Sequence, residues 1–109
     1  MIKIAFYKDA SDNFIGFKSV GHAGAGECGQ DVVCAAISAL IINTINSIET
    51  FTDDKFDYTI NAKKFGYIRY RLKGTGSEEA QLLLKSLLLG IKGVRRENQK
   101  YIKVRIKEV

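Results

Sequence analysis

The sequence predicts an α+β domain in which two helices cover one face of a mostly antiparallel sheet of about five strands, in the order ββαββαβ. Five short segments alternate apolar and polar side chains, which is typical of half-buried strands. Two longer segments repeat apolar residues every three or four positions, which is typical of helices with one buried face. Residues 1–109 are expected to form a single domain, because proline is absent and no linker or repeat interrupts them.

A hairpin is predicted at the start of the chain. Residues 2–7 alternate apolar and polar side chains, and the cluster 9–13 has the Asp, Ser and Asn composition of a turn. A second strand is predicted over 14–19, with Ile15 and Phe17 on one face.

The first helix is predicted to begin at Asp31 and to reach about Glu49. The Asp31 carboxylate can accept hydrogen bonds from backbone amides at the helix start, as an N-cap does. The residues expected on the buried face are Val33, Ile37, Leu40, Ile41, Thr44, Ile45 and Ile48.

A second hairpin is predicted over residues 55–60 and 65–73. Ser77 is then expected to cap the second helix, because Glu78 and Glu79 follow it in the first turn, where the helix dipole favours acidic side chains. The residues expected on the buried face of this helix are Ala80, Leu83, Leu84, Leu87, Leu88 and Ile91.

The second helix is expected to end at Gly93, which is a suitable C-cap residue. Leu82 and Leu89 make its apolar stripe wider than one sheet face needs, so they are expected either in the core or at a dimer contact. A last strand is predicted where Ile102, Val104 and Ile106 alternate with basic residues.

The net charge of +5 is concentrated at the C-terminal end. Residues 1–91 carry 10 basic and 10 acidic side chains, whereas residues 92–109 carry 7 basic and 2 acidic ones. This excess suits an anionic partner such as RNA, and it equally suits the solvated face of a basic edge strand.

A cytoplasmic location without a membrane segment is expected. The start of the chain is too short and too rich in lysine for a signal peptide, and the longest apolar run, near 32–42, is about half a membrane span. Cysteines in that compartment are expected to be reduced.

The segment 21–38 contains the only histidine, His22, and both cysteines, Cys28 and Cys34. A glycine-rich loop joins His22 to the first helix, so the imidazole can fold back towards Cys34, which is expected in the first helical turn. A helix N-terminus and a nearby imidazolium both favour the thiolate, the nucleophilic form of cysteine. Unpaired amides of the first turn can stabilise an oxyanion. The segment therefore predicts a Cys34 nucleophile with His22 as its base, suited to acyl transfer.

Two further residues are candidates for supporting roles. Asp31 is expected to act first as a helix cap and second as a group that orients His22. Ser38 lies one turn beyond Cys34 on the same helical face, where its hydroxyl can donate to a bound substrate or remain solvated. A small buried cysteine is the structural alternative for Cys34.

The pattern Gly-His-Ala, a Gly-rich spacer and Gly-x-Asp-x-Val-Cys-Ala-Ala-x-Ser resembles the signature of the ribosomal-processing cysteine protease family, Prp. The resemblance extends over the whole chain. It implies that His22 and Cys34 form the catalytic pair and that Asp31 is the acidic residue ahead of the nucleophile. It further implies a homodimer that needs no cofactor and that removes a short N-terminal extension from a large-subunit ribosomal protein, the twenty-seventh in the usual count. Cleavage is implied to follow a hydrophobic recognition sequence that ends in phenylalanine, and Cys28 matches no family requirement.

An RNA-binding module is the alternative from a different functional class. Residues 63–70 fit the RNP1 pattern of RNA-recognition motifs except at Lys64, and the element order from Phe14 onward is that of the motif. Phe65 and Tyr67 would stack on bases, while the basic C-terminal strand would contact phosphates. Against this hypothesis, residues 14–19 make a poor RNP2.

Two weaker alternatives use the cysteines differently. His22, Cys28 and Cys34 are three possible zinc ligands, but a structural zinc site needs four. A disulfide switch between Cys28 and Cys34 is the other alternative.

Overall fold

The computed structural model describes residues 1–21, 30–61 and 66–109, apart from the side chains of residues 30 and 31. The elements occur in the predicted order: β1 (Ile2–Lys8), β2 (Phe14–Val20), α1 (Gln30–Phe51), β3 (Phe56–Asn61), β4 (Tyr67–Leu72), α2 (Glu78–Arg96) and β5 (Ile102–Glu108). The strands form one sheet in the spatial order β3-β4-β2-β1-β5. The β1–β5 pair is parallel and the other pairs are antiparallel. The predicted fold class is confirmed.

The core lies between the two helices and one face of the sheet. The predicted α1 stripe is buried at Val33, Ile37, Ile41, Thr44, Ile45 and Ile48, and the α2 stripe at Ala80, Leu84, Leu87, Leu88 and Ile91. Leu40 and Leu83 are partly buried against this core. Alternation along β1 and β4 buries Ile2, Ile4 and Phe6 on the first strand and Ile68, Tyr70 and Leu72 on the second.

A row of aromatic rings connects four strands across the buried face of the sheet. Phe6 contacts Phe14 edge-to-face at 5.6 Å between ring centroids and Phe17 at 5.7 Å. Phe17 stacks on Tyr70 at 5.1 Å, and Tyr70 contacts Phe56 at 4.9 Å. Offset-stacked and edge-to-face aromatic pairs stabilise a fold beyond the burial of their apolar area. This row therefore stabilises the pairing of β1, β2, β4 and β3.

A β-bulge in β2 changes which residues face the core. Tyr7 pairs with Gly16 and Lys8 with Phe14, which leaves Ile15 as an extra residue on β2. Phe14 and Phe17 are therefore both buried, whereas Ile15 lies with Tyr7 and Lys18 on the opposite face. The prediction that Ile15 and Phe17 share a face is wrong, because the bulge interrupts the two-residue period.

Both helices differ from the prediction at one end. α1 begins at Gln30, so Asp31 is its second residue rather than its N-cap, and the Asp31 side chain lies outside the described part. Ser77 caps α2 as predicted, its hydroxyl oxygen accepting a hydrogen bond from the Ala80 amide at 3.1 Å. Gly93 does not end α2, which continues to Arg96.

The exposed side of the helix layer is also apolar. Leu82 and Leu89, one heptad apart on α2, are 67% and 72% exposed, so the expectation that they belong to the core is wrong. Val32 and Ile42 are exposed on α1.

Helix α1 is more hydrophobic than a typical amphipathic helix. The stretch Val32–Phe51 is 20 residues long with a mean hydropathy of 1.7, which by length and composition would suffice to cross a membrane. This is longer than the apolar run of about half a span expected from the sequence. One face of the helix is buried against the sheet, so many of its apolar side chains form part of the core.

Asp54, in the connection between α1 and β3, is hydrogen-bonded to Ser77 at the start of α2. Its carboxylate accepts a hydrogen bond from the Ser77 amide at 3.0 Å and another from the Ser77 hydroxyl. The Ser77 hydroxyl is the main cause that holds the pKa of Asp54 below its ordinary value of 3.8, against the opposing effect of partial burial. The deprotonated carboxylate therefore favours the folded state.

Asp54→Asn should reduce the pH dependence of stability. Because the folded state has the lower pKa, the stabilisation from Asp54 is fully present above its unfolded pKa near 3.8 and is lost as pH falls through the folded value. Urea unfolding at about pH 7 and about pH 2.5 should give a smaller difference in the free energy of unfolding for Asp54→Asn than for the wild type. Asp53→Asn, an equal change of charge at the exposed neighbouring position, is the control. An equal decrease in both variants would contradict the role of Asp54.

Candidate active site

A groove lies between the first half of α1 and the ends of β2, β3 and β4. Its volume is about 350 Å³. Its lining is mostly apolar and includes six isoleucines, which are Ile2, Ile37, Ile41, Ile42, Ile60 and Ile68. Among the described residues, the hydrogen-bonding side chains that line it are those of Ser19, Cys34, Ser38 and Tyr67. Apolar walls with a few polar groups are typical of a site that binds a ligand in one orientation.

Cys34 lies on the wall of this groove as the fifth residue of α1. It is half-buried, so the alternative of a fully buried structural cysteine does not hold. The expectation that Cys34 lies in the first turn is wrong, because the helix begins at Gln30. The helix dipole acts mainly within the first turn, so its effect on the Cys34 thiol is weaker than the sequence indicated.

Ser38 lines the same groove one turn after Cys34, as the helical period predicts. Helical residues four apart lie on the same face, so a ligand that extends along α1 from the Cys34 thiol can contact the Ser38 hydroxyl. Ser38 is exposed and can donate a hydrogen bond to such a ligand.

Several lining residues were missed by the sequence analysis. Ser19 is a buried polar residue of β2, and Ile60 and Tyr67 come from the ends of β3 and β4. Nothing in their local sequence distinguishes them, because only strand pairing brings them next to α1.

Three of the predicted chemical groups lie outside the described residues: His22, Cys28 and the side chain of Asp31. The pairing of His22 with Cys34 therefore stays a prediction, as do the zinc site and the disulfide switch. Within the described ranges, no group of three or more His, Cys, Asp or Glu side chains is close enough together to hold a metal ion.

The RNA-recognition motif does not match the sheet. That motif places aromatic side chains of its central strands on the open face of a four-stranded sheet. Here Phe14 and Phe17 of β2 are buried against the helices, and β1 is inserted between β2 and β5. Tyr67 is partly exposed, and Phe65 lies outside the described part.

Gly21 forms part of the groove where β2 ends. Its φ of +103° lies in the left-handed region, and a Cβ atom at this position would collide with the carbonyl oxygen of Met1. Gly74 has a similar φ of +99°, but a Cβ atom there would meet no atom within 4 Å. Both glycines therefore have a positive φ, but only Gly21 has backbone atoms close to the position that a Cβ atom would take.

Gly21→Ala should destabilise the protein more than Gly74→Ala. Both substitutions impose backbone strain of about 1–2 kcal/mol, and only the first adds a collision with the carbonyl oxygen of Met1. Chemical denaturation should show a decrease in the free energy of unfolding that is larger for Gly21→Ala by about 1 kcal/mol or more. Equal decreases would mean that the Met1 backbone moves away without cost.

A partly exposed cysteine on a helix that borders an apolar groove defines a candidate cysteine-nucleophile enzyme. The family model described as cysteine protease Prp matches residues 1–103. The ribosomal processing cysteine protease Prp of Staphylococcus aureus is 32% identical over 87 residues, covering 80% of this chain and 81% of the relative. The chain belongs to the Prp family of cysteine proteases and is a cysteine-type peptidase.

Solved structures agree with this assignment. A crystal structure of the essential ribosomal processing protease Prp from S. aureus, in complex with a covalently linked product peptide, has a TM-score of 0.89 at 28% identity, covering 98% of this chain and all (100%) of the other. SMU.848 from Streptococcus mutans has a TM-score of 0.90 at 29% identity, covering 100% of this chain and 96% of the other.

Proposed function

We propose that this protease removes a short N-terminal extension from a large-subunit ribosomal protein, the twenty-seventh in the usual count. The observation that carries the proposal is the position of Cys34 on an open groove large enough for a peptide segment. The S. aureus relative, which is named a ribosomal processing protease, holds a covalently linked product peptide. RNA binding through an RNA-recognition motif is not favoured, because the β2 aromatics face the core.

The proposed reaction follows thiol-protease chemistry. His22 takes the proton from the Cys34 thiol, and the thiolate sulfur attacks the carbonyl carbon of the scissile bond. Backbone amides at the start of α1 stabilise the oxyanion. His22 then donates the proton to the leaving amine, and water hydrolyses the thioester to release the second product and restore the thiol. Asp31 and Ser38 are proposed as supporting residues, through the orientation of His22 and a hydrogen bond to substrate.

The groove suits a hydrophobic recognition sequence. Ile37 and Ile41 of α1 and Ile60 and Ile68 of the sheet form its apolar walls near Cys34. Gly21, to which His22 is covalently joined, also lines the groove. A peptide that places an aromatic side chain between these walls would bring the following bond towards the thiol.

Cys34→Ala should abolish cleavage of a synthetic peptide that carries the extension of the ribosomal protein. His22→Ala should lower kcat/KM by roughly 10²- to 10⁴-fold, the usual contribution of a general base. Mass spectrometry of the products measures both. Cys28→Ser is the matched control and should cleave like the wild type.

Two further measurements separate chemistry from folding. Thermal unfolding should show that Cys34→Ala remains folded, since Cys34 is half-buried at the edge of the core. In a Cys28→Ser background, His22→Ala should slow alkylation of Cys34 by iodoacetamide, because the imidazole favours the thiolate. Unchanged cleavage in a folded Cys34→Ala protein would refute the mechanism.

We further propose that the protease is a homodimer that uses the apolar side of its helix layer. Leu82 and Leu89, one heptad apart on α2, expose large apolar side chains there, and Val32 is exposed near the start of α1. Exposed apolar side chains that cluster on one face are typical of protein–protein contacts. The resemblance to the Prp family also favours a homodimer.

Replacing both Leu82 and Leu89 by Gln should shift the protein from dimer to monomer. The substitution removes apolar area that each copy would bury, about 2 kcal/mol per leucine at full burial. Analytical ultracentrifugation at several concentrations measures the shift. Lys55→Gln, an exposed position outside the helix layer, is the control. A wild type that remains monomeric at high concentration would contradict the proposal.

The protease is proposed to act in the cytoplasm. This location suits a ribosomal protein as substrate and a reaction that needs a reduced thiol at Cys34. Disulfides form rarely in that compartment.

A further inference from the structure

The face of the sheet opposite the helices, here called the outer face, is strongly basic. It includes Tyr7 and Tyr67, and its only acidic strand residue is Asp57 within the described part of the chain. Seven basic side chains of the described strands lie on it, from β1, β2, β4 and β5, and they are Lys3, Lys18, Arg69, Arg71, Lys103, Arg105 and Lys107. Positions far apart in the sequence therefore form one cationic surface.

Two shallow depressions on the outer face lie side by side. One, of about 330 Å³, lies over β1, β2 and β5, and the other, of about 260 Å³, lies over β1, β2 and β4. Tyr7 and Lys18 line both depressions. The Lys18 ammonium lies 5.7 Å from the centroid of the Tyr67 ring. A flexible chain can therefore follow a continuous path across the strands.

The positive charges of the outer face have little internal compensation. In the described ranges the ion pairs are Lys8–Asp12 and Lys73–Asp57, and neither involves one of the seven basic residues. Side chains two residues apart on a strand project from the same face about 6.6–6.8 Å apart, so those of β5 form a regular row. Such a row leaves a field that attracts a polyanion.

We propose that the outer face binds single-stranded RNA. The lysines and arginines would contact phosphates, and Tyr7 would stack on a base, as aromatic side chains do on nonspecific single-strand surfaces. An anionic membrane fits less well, because membrane-surface binding uses large apolar side chains that insert into the lipid, whereas the outer face has tyrosines within depressions.

The RNA surface and the protease groove lie on different sides of the sheet. The groove that contains Cys34 is formed with α1 on the covered face, whereas the outer face carries no helix. Tyr67 lines both the groove and the depression over β4, whereas the depression over β1, β2 and β5 shares no residue with the groove, so RNA bound there leaves the groove open to a peptide. The proposed RNA surface goes beyond the proposed function and does not rest on it.

The test compares two variants of equal net charge for binding to a fluorescein-labelled oligouridine of about 16 nucleotides. Arg69→Gln with Arg71→Gln changes the outer face, whereas Lys55→Gln with Lys85→Gln removes two exposed charges elsewhere. Fluorescence anisotropy between about 50 and 200 mM salt gives the affinity and its salt dependence.

The outer-face variant should bind about tenfold more weakly at low salt, and the slope of log K against log salt should fall by about 1.4, or 0.7 per phosphate contact. The control variant should keep the wild-type slope. Tyr7→Leu should weaken binding by roughly 5- to 150-fold with the slope unchanged, because stacking releases no counterions. Tyr67 is left unchanged, because it also lines the groove of Cys34.

Three outcomes would overturn the proposal. They are no binding by the wild type, equal weakening in both charge variants, and binding to phosphatidylserine vesicles in place of the oligouridine. Peptide cleavage is measured on the same proteins and should be unchanged in the Arg69 and Arg71 variant. Failure of the RNA measurement thus leaves the protease proposal intact, and failure of peptide cleavage leaves the RNA measurement interpretable.

Discussion

The packing of α1 against one face of the sheet is the constraint on which the candidate active site depends. Val33, Ile37 and Ile41 are buried against the strands, and this sets the rotation of the helix about its axis. Cys34 follows Val33 by one residue, about 100° around the helix, so it lies beside the buried stripe rather than within it. Ser38 repeats this position one turn later. The same packing that stabilises the domain therefore presents the thiol and the hydroxyl to the groove.

Covering the sheet on one side has a second consequence. The face without helices must be soluble, and here it is covered with basic side chains from β1, β2, β4 and β5. The parallel pairing of β1 with β5 places the lysine-rich C-terminal strand beside the N-terminal strand. In the sequence, the excess of positive charge lies in residues 92–109. In the fold, the basic side chains of β5 join those of the other strands in one surface that crosses the sheet. The helix-covered side of the sheet therefore forms the core and the groove of Cys34, and the outer face is available to a polyanion.

The candidate site was predictable from the sequence only in part. Cys34 and Ser38 were identified because they are four residues apart in a predicted helix, and this spacing alone places them on the same helical face. The exact start of α1 was not predictable, because glycines precede it and Asp31 also favours a cap position. The helix begins at Gln30, so Cys34 is its fifth residue rather than the third residue after a cap at Asp31, and it lies beyond the first turn. The apolar groove was not predictable either, since Ile60 and Tyr67 reach it only through strand pairing.

Local periodicity and capping chemistry were enough to establish the element order, the buried helix stripes and the Ser77 cap, because these depend on side chains a few residues apart. Tertiary packing decided the rest. It placed the extra residue Ile15 in a bulge and left Leu82 exposed, because each outcome depends on which surface lies opposite. Tertiary packing also decided the order of the strands and the composition of the outer face. Strands that are distant in the sequence pair according to the packing of the whole core, and this pairing leaves no local pattern in the sequence.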